Sequence, residues 1–381
     1  MSSQDTLPSQ HRALVLKTVG AGFEIKQIPT PQPIHGSAVI KVEQAGILSY
    51  HREIYNGVRK YDFPKPIVGG CSSIGRVVAL GPDATSLKVG QLVYADCVIY
   101  GRDDPDHRFL TAIHHGGTEG SQKLCRDVWR NGPFAEYLSA PLENCIPLDE
   151  ARLCGELGYT LEQLMYLGWL MVPFGGFRDI NLQPGETVII SPATGPYGGA
   201  AVQTAVAIGA TVIAMGRNEA ELARLKAHVQ KGTPSARIET VRISGDQAAD
   251  TASLQAFGPV DAVLDFSPPM AVAAKSTHLK SALSCLRRNG RASLMGFVGT
   301  DFPIDSWSFI SKNVTLKGKL MYEREDMLLF SKMLHSGRFP RGEDFADIKT
   351  YPLEDWKNAL DEAAEFTGVG RLVSLSPTKA A

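Results

Sequence analysis

The chain has 381 residues, of which 44% are hydrophobic and 21% are charged, a composition that suits a globular protein of two domains. Its net charge of −1 gives no reason to expect nucleic acid or an acidic membrane as a partner, and no apolar stretch is long enough to span a membrane. The amino terminus is polar and the six cysteines form no CxxC pair, so we expect a cytoplasmic chain with reduced thiols.

Short strands separated by turns are predicted for the first part of the chain. The runs ALVLKTV, FEIKQIPTP and SAVIKVEQAGI are rich in β-branched residues, and Pro and Gly mark the turns between them. Residues 101–131 are polar and poorly periodic, which predicts an inserted lobe or loop. Strand-like sequence resumes with PFAEYLSAPLENCIPL, and a helical region around 153–174 leads into the second part of the chain.

The second part alternates strands with helices. Residues 186–217 predict one βαβ unit, because an apolar run, a glycine-bearing turn, a helix of small residues and a second apolar run follow one another. Further elements are predicted at about 218–231 (helix), 237–243 (strand), 260–266 (strand), 270–288 (helix), 291–299 (strand), 313–320 (strand) and 324–336 (helix). This alternation predicts an α/β fold with a mostly parallel sheet.

The turn inside the βαβ unit matches the dinucleotide-binding fingerprint, with Ala in place of the first Gly. Gly195 would let the backbone approach a pyrophosphate, and Gly198 would let the helix pack close to the strand. Pro196 suits the first helical position, where its missing N–H costs nothing. The alternative is an ordinary Gly-rich βα turn. The predicted cofactor-binding residues of the turn are Ala193, Thr194, Gly195, Pro196, Tyr197 and Gly198.

The end of the second strand indicates which cofactor is bound. NAD-binding folds carry an acidic residue here that binds the ribose 2′-hydroxyl, whereas this chain has Gly216, Arg217 and Asn218. A small residue leaves room for a 2′-phosphate, and Arg offers it a permanently charged, bidentate partner. We therefore predict NADPH/NADP+ as the cofactor. The alternative for Arg217 is a solvated side chain at the start of a helix.

The order of several motifs resembles that of the medium-chain dehydrogenase/reductase superfamily, which includes zinc alcohol dehydrogenases and quinone oxidoreductases. The resemblance covers nearly all of residues 12–377, and it rests on their joint order rather than on any one of them. The motifs are AGI at 45–47, the glycines from 70 to 81 followed by SLKVGQLVY, GPFAEY at 132–137, LQPGETVIISPATGPYGGAAVQTA, VDAVLDF, GRASLMGFVG and YPLEDWKNAL.

The resemblance implies a GroES-like β domain at 12–165 and 339–377 and a Rossmann NADP-binding domain with a doubly wound parallel sheet at 166–338. It implies that substrate and nicotinamide meet between the two domains, and that the chain forms a homodimer. It also extends the cofactor site to Ser267, after VDAVLDF, and to Phe297 and Val298 in GRASLMGFVG.

The chain departs from the zinc members of that superfamily at their ligand motifs. The G-x-C motif reads Gly46-Ile47-Leu48, the G-H-E motif reads Gly70-Cys71-Ser72, and the third ligand position falls near Leu167. A catalytic zinc needs three protein ligands, so Cys71 alone does not hold one. The four-cysteine run of the structural zinc lobe is absent as well. A metal held in the lobe by His107, His114, His115 and Cys125 is the alternative, although their spacing matches no common zinc pattern.

Without a metal, side chains must supply the electrophile, or the substrate must need little polarisation. Tyr50 occupies the place of the Ser or Thr hydroxyl that touches the substrate oxygen in zinc members, so we predict that it is the acid. The alternative is that Tyr50 packs against the nicotinamide and only shapes the site. Ser49 and His51, which flank it, are the weaker catalytic candidates. Tyr197 is expected either to cover the cofactor or to pack on its helix.

These expectations converge on a zinc-independent, NADPH-dependent oxidoreductase. Its predicted substrate is a small apolar molecule with a carbonyl-conjugated C=C bond, as in the zinc-less quinone and enoyl reductases of that superfamily. One alternative is a zinc-free carbonyl reductase or alcohol dehydrogenase, and another is a reductase-like scaffold that binds NADPH without catalysis. The three differ in whether NADPH is oxidised by enones, by ketones and aldehydes, or by neither.

Overall fold

The computed structural model describes residues 7–268, 277–298 and 304–378, and the chain divides into two compact units. The first unit comprises residues 1–168, 347–367 and 372–381, and the second comprises residues 169–346 and 368–371. Among the described residues, none of the helices combines the length and the apolar character needed to cross a membrane.

The first unit is built mainly from antiparallel strands. In chain order they are β1 (Gln10–Leu16), β2 (Glu24–Pro29), β3 (Ser37–Ile47), β4 (Ile67–Val68), β5 (Ser73–Leu80), β6 (Leu92–Ala95), β7 (Val98–Tyr100), β8 (Arg108–Leu110), β9 (Tyr137–Pro141) and β10 (Cys145–Pro147), joined late in the chain by β17 (Asp347–Pro352) and β18 (Arg371–Ser376). Its helices are α1 (His51–Tyr55), α2 (Glu119–Asp127), α3 (Leu161–Leu164) and α11 (Trp356–Glu365), with a π-helical turn at Ala151–Glu156.

Three sheets organise this unit. The largest runs in the order β10-β6-β5-β3-β18-β17, with β9 also paired to β3, and β2-β1-β4 forms a second sheet. The two-stranded sheet pairs β7, which ends just before the predicted lobe or loop at 101–131, with β8 inside that segment. That segment also contains α2, and its residues Phe109, Cys125 and Trp129 form a small buried cluster with Ile99 of β7.

The second unit is a six-stranded parallel sheet flanked by helices, as the α/β prediction required. Its strands are β11 (Thr187–Ser191), β12 (Thr211–Gly216), β13 (Ile238–Arg242), β14 (Val260–Asp265), β15 (Leu286–Leu294) and β16 (Thr315–Gly318). Its helices are α4 (Leu167–Asp179, of which the first two residues belong to the first unit), α5 (Pro196–Ile208), α6 (Glu219–Gly232), α7 (Gln247–Gln255), α8 (Thr277–Ser284), α9 (Ser306–Lys312) and α10 (Arg324–His335).

Both faces of this sheet are covered, and the sequence of β11 shows why. Val188 and Ile190 pack into one buried cluster with α5 and α6, whereas Ile189 faces the opposite cluster with α7 and α8. Successive side chains of a strand point to opposite faces, so a strand covered on both sides must be apolar at every position. Each fully buried Val or Ile contributes roughly 1.5–3 kcal/mol of transfer free energy.

The order of the strands determines where a ligand can bind. The sheet runs β13-β12-β11-β14-β15-β16, so the chain moves outward from β11 to β13 and then crosses to the other side of β11. In such sheets the crevice lies at the carboxyl ends of the strands, at the point where the direction of winding reverses. That point is between β11 and β14.

Two neighbouring predicted elements were wrong in their extent, and one is the strand expected at 291–299, which begins at Leu286 and ends at Leu294. The helix expected at 270–288 ends at Ser284, and Leu286 to Arg288 begin β15 instead. Residues 270–276 of that prediction lie outside the described residues. The apolar strand pairing of Leu286 with Val260 overrides the local helical pattern.

Candidate cofactor site

The glycine turn lies between β11 and α5, as predicted. Gly195 is the N-cap of α5, in an extended conformation, and Pro196 is the first helical residue. An N-cap glycine offers no side chain to the first helical N–H groups, which are therefore left for a ligand or water. A Cβ added to Gly195 would meet no atom within 4 Å, so the space in front of this backbone is open.

Gly198 has a packing role, which agrees with the sequence. A Cβ on it would lie 2.2 Å from the carbonyl oxygen of Pro192 and 2.8 Å from Cα of Ala193, a separation that no L side chain tolerates. The helix therefore approaches the strand closely only because this residue is glycine. Together with the open space at Gly195 and the uncapped helix start, this geometry fits a pyrophosphate group.

Tyr197 extends from the same turn and lies against Phe266, the residue that follows β14. Their ring centroids are 6.3 Å apart with an interplanar angle of 22°, which is a stacked arrangement. Ala193 and Thr194 form the other side of the turn. The N–H of Ala193 donates to the carbonyl oxygen of Met215 at 2.7 Å. The aromatic pair borders the crevice between β11 and β14.

The end of β12 carries the residues predicted to select the cofactor. Gly216 is buried, and a Cβ there would meet Cγ2 of Thr194 at 2.9 Å, so a larger residue would require the Thr194 side chain to move. Arg217 is exposed, and it makes no ion pair or hydrogen bond with any other residue in the described part of the chain. Asn218 has a structural role, because its side chain accepts hydrogen bonds from Ala220 N and Glu221 N and so caps α6.

The ends of β14 and β15 bring the remaining predicted cofactor residues together. Phe297 N donates to the carbonyl oxygen of Ser267 at 2.8 Å, and Val298 packs against the apolar cluster under this edge. The hydroxyl of Ser267 is buried and donates to Asp265 at 2.5 Å. The hydroxyl of Ser267 is thus used in a hydrogen bond within the protein, whereas the exposed ring of Phe297 can contact a ligand.

Two buried groups beside Ser267 were missed by the sequence analysis. Burial raises the pKa of Asp265 to about 6, although its hydrogen bonds from Ser267 oppose that shift. His278 lies 2.8 Å from the Ser267 hydroxyl, and burial lowers its pKa. The position of Asp265 at the end of an otherwise apolar strand could have identified it from the sequence. Nothing in the local sequence indicated His278.

The three catalytic candidates lie in the first unit, between β3 and α1. Ser49 and Tyr50 form a half-buried turn, and Tyr50 is the N-cap residue of α1. The guanidinium carbon of Arg59 lies 4.3 Å from the centroid of the Tyr50 ring, a cation–π contact that holds the ring in place. His51 is fully buried among Tyr55 and Phe134, and its Nδ1 accepts a hydrogen bond from Leu48 N.

The three positions aligned with zinc ligands, Leu48, Cys71 and Leu167, all belong to this unit. His51 lies next to two of them, because its Nδ1 accepts a hydrogen bond from Leu48 N and its ring is near the thiol of Cys71. The pKa of Cys71 is lowered by its hydrogen bond with Cys97 and by His51, against the effect of burial.

These residues do not fit a zinc ion. Two of the three positions are aliphatic, and no group of three or more His, Cys, Asp or Glu residues in the described ranges is arranged to hold a metal. The lobe histidines have other partners: His107 contacts Thr118, His114 accepts from Gly116 N, and His115 lies 3.3 Å from Asp62.

A pocket of about 370 Å³ lies at the opposite edge of the parallel sheet, before β11 and β16. Arg291 in its wall forms a two-point ion pair with Glu186, and Lys317 donates to the carbonyl oxygen of Asp179. Its charged groups are therefore already paired, and the glycine turn at the carboxyl edge remains the candidate site.

Comparisons with known proteins agree with this arrangement. Two family models match, one described as the alcohol dehydrogenase GroES-like domain over residues 35–150 and one described as zinc-binding dehydrogenase over residues 196–336. Alcohol dehydrogenase 1 of Caenorhabditis elegans is 26% identical over 327 residues, which cover 84% of this chain and 86% of that protein.

Two solved structures of low sequence identity share the fold. A protein from Escherichia coli CFT073 described as a short chain alcohol dehydrogenase, complexed with NADH, has a TM-score of 0.75 at 18% identity and covers 97% of this chain and 100% of its own. A protein from Sinorhizobium meliloti 1021 described as a zinc-binding dehydrogenase, bound to NADP, has a TM-score of 0.74 at 18% identity with the same coverage.

Proposed function

This chain belongs to the medium-chain dehydrogenase/reductase superfamily and is an oxidoreductase, and from that premise we propose that it is a zinc-independent, NADPH-dependent reductase. Its proposed substrate is a small apolar molecule whose C=C bond is conjugated to a carbonyl group. Hydride addition at the β-carbon spreads charge into an enolate, which needs less electrophilic help than the alkoxide formed from an isolated ketone.

The observation that carries this proposal is that aliphatic residues stand at two of the three positions where zinc members have their metal ligands. Leu48 and Leu167 are buried aliphatic side chains at two of the three ligand positions, and Cys71 is the single remaining donor. A catalytic zinc keeps three protein ligands and one open position for the substrate. The proposal therefore assigns the reaction no metal, although one of the matched family models is described as zinc-binding.

The cofactor proposal rests on the carboxyl edge of the sheet. The open backbone at Gly195 and the uncapped start of α5 fit a pyrophosphate, and the ring of Tyr197 lies beside them. Arg217, which lacks a partner in the described part of the chain, supports a 2′-phosphate on the adenosine ribose. When bound, such a cofactor supplies the hydride. Matched structures include one solved with NADH and one with NADP, so the preference rests on Arg217.

Within the first unit, we assign Tyr50 the role of hydrogen-bond donor to the substrate oxygen. Its ring is fixed by Arg59 and by its place at the start of α1, so the hydroxyl is held in one direction at little entropic cost. Ser49 is the neighbouring hydroxyl. His51 is fully buried, so we assign it to positioning, through its hydrogen bond with Leu48 N, rather than to substrate contact.

The second candidate is a zinc-free carbonyl reductase or alcohol dehydrogenase. The name of the Caenorhabditis elegans relative and of the first family model favour it. In that case Tyr50 would protonate an alkoxide, a step that depends more strongly on the acid than protonation of an enolate does.

We predict that the purified protein oxidises NADPH with enones, and that simple ketones and aldehydes are poor substrates. Prolonged chelation is expected to leave this activity unchanged, because the described residues contain no set of three ligands for zinc. NADPH absorbance with a panel of enones, ketones, aldehydes and alcohols measures the substrate preference. Elemental analysis of the same preparation measures the zinc content. One tightly bound zinc per chain would contradict the proposal, and turnover of ketones alone would select the second candidate.

We also propose a homodimer in which a second copy covers the outer edge of the parallel sheet. β16 is the last strand at that edge among the described residues, and α9 beside it exposes Trp307 (72%) and Ile310 (66%). An unpaired strand edge with adjacent apolar side chains is a surface that another copy can cover.

Sedimentation is expected to give the mass of two chains for the wild type, and Ile310→Glu is expected to give the mass of one. Val89→Glu, which changes an exposed apolar residue of the first unit, is the control and should remain dimeric. A monomeric wild type, or an Ile310→Glu protein that sediments as the wild type does, would contradict this assembly.

A further inference from the structure

A buried polar network surrounds His278 at the carboxyl edge of the parallel sheet. His278 Nε2 lies 2.8 Å from Ser267 Oγ, and that hydroxyl donates to Asp265 Oδ1 at 2.5 Å. Because Ser267 gives its only proton to Asp265, its oxygen accepts the proton of His278 Nε2. Ser267 therefore connects the imidazole to the carboxyl group at the end of β14.

A second carboxylate, that of Asp250 on α7, also influences the protonation of His278. Asp250 Oδ1 accepts from Ser244 N at 2.9 Å and from Ser244 Oγ at 2.6 Å. Its other oxygen, Oδ2, is buried and has no hydrogen-bond partner among the residues that the structure describes. The charge of Asp250 favours protonation of His278, so this imidazole is influenced by Asp250 directly and linked to Asp265 through Ser267.

The positive charge of Arg217 opposes protonation of His278. His278 is nine-tenths buried, and both that burial and the nearby positive charge of Arg217 lower its pKa. The two residues are near each other because Leu279, next to His278, shares an apolar cluster with Met215 of β12. With its pKa lowered below the usual value for imidazole, His278 is neutral at neutral pH in the free protein.

We propose that His278 takes up a proton when NADPH binds and thereby recognises the 2′-phosphate together with Arg217. This inference rests on the proposed function, since it requires NADPH to bind at the end of β12. A phosphate dianion would neutralise the repulsion from Arg217 and add its own attraction, so one imidazolium and one guanidinium would match its two charges. NADH carries a hydroxyl at that position and would leave His278 neutral.

The charged groups on the elements packed against α8 define the expected pH dependence. Asp250 of α7 favours the imidazolium, Arg217 after β12 opposes it, and Asp265 at the end of β14 acts through Ser267. Lys312 of α9 donates to the carbonyl oxygen of Ser284 at the far end of α8, and Lys280 lies on α8 itself. The pKa of His278 is lowered in the free protein and should rise when the phosphate binds. NADPH should therefore bind more weakly as pH rises from the free to the bound pKa of His278, while NADH binding stays constant.

Calorimetric titration of the full chain tests this inference directly. NADPH and NADH are titrated at pH 7 and above, where the 2′-phosphate is already dianionic, in two buffers of different ionisation enthalpy. We expect an uptake of about one proton per NADPH at pH 7 and none with NADH. His278→Gln should abolish the uptake and weaken NADPH binding about tenfold or more, with NADH binding unchanged.

His228→Gln is the matched control. His228 is another imidazole of the second unit whose pKa is lowered by burial, but it lies on α6 beside Gly370. This variant should retain the proton uptake. Asp250→Asn provides a second variant in case His278→Gln does not fold, and it should reduce the uptake because the favourable negative charge is lost.

Each opposing result has a distinct meaning. Tight NADPH binding without proton uptake would overturn the role of His278 and leave the proposed cofactor in place. Uptake that persists in His278→Gln would assign the proton to Asp265 and also overturn the inference. If the wild type binds NADPH no more tightly than NADH, the proposed cofactor preference itself fails, and this inference fails with it.

Discussion

Arg217→Ala is expected to weaken NADPH binding about 10- to 150-fold and to leave NADH binding nearly unchanged. The guanidinium is exposed at the end of β12 and has no ion pair among the described residues, so its removal breaks no internal contact that would disturb both cofactors equally. A charge-assisted, two-point contact with a phosphate is lost, and NADH makes no such contact. Dissociation constants from titration of both cofactors measure the difference.

Arg242→Ala is a suitable control for this substitution. Arg242 is the last residue of β13, the strand next to β12, and it lies 3.7 Å from Glu219 in an exposed ion pair. It should affect neither cofactor by more than about threefold, since exposed ion pairs contribute little. An equal loss for both cofactors in Arg217→Ala would make Arg217 structural and remove the main support for NADPH.

Local patterns in the sequence were enough to predict the second unit's sheet and the glycine turn. The apolar run before the turn requires burial on both faces, and Val188 and Ile189 do pack on opposite faces. The small residues of α5 correspond to close packing, which Gly198 shows at the Pro192 carbonyl. In these cases the controlling contacts lie within a few residues in the sequence, so a single chain reveals them.

The network around His278 depends instead on residues far apart in the chain. Asp265 ends β14 and His278 lies on the helix after it, whereas Asp250 lies on the helix after β13, and they meet because the parallel sheet brings the carboxyl ends of its strands to one edge. The sequence predicted a helix through this region, but it gave no sign that a histidine on that helix would lie beside a buried serine. Asn218 is a similar case, because its capping of α6 competes with the predicted contact to the cofactor.

The same limit applies to the catalytic candidates. The sequence identified Ser49, Tyr50 and His51 by their place in a motif, and the structure distinguishes them by burial and contacts. His51 is enclosed by aromatic rings, whereas Tyr50 is half-buried and is held by Arg59. Their roles remain predictions, and Tyr50 offers the sharpest experiment because its ring and its hydroxyl can be separated by one substitution.

Tyr50→Phe is expected to lower kcat more than a hundredfold while NADPH binding is unchanged. The substitution keeps the ring, and therefore the contact with Arg59, and removes only the hydroxyl. An interaction made mainly in the transition state is lost from kcat rather than from KM, and acid catalysis contributes about 10²–10⁴-fold. Steady-state kinetics with the best enone and the best ketone of the panel, together with cofactor titration, measure both quantities.

Tyr61→Phe is the matched control, because the Tyr61 hydroxyl also interacts with Arg59 but lies on a more exposed ring. It should change kcat by less than about threefold, as expected for a peripheral hydrogen bond. A change below threefold in Tyr50→Phe itself would exclude the acid role and leave protonation to solvent. The size of the loss also separates the two candidate reactions, since water can protonate an enolate whereas an alkoxide depends on the acid. A ketone reductase should therefore lose more activity than an enone reductase does.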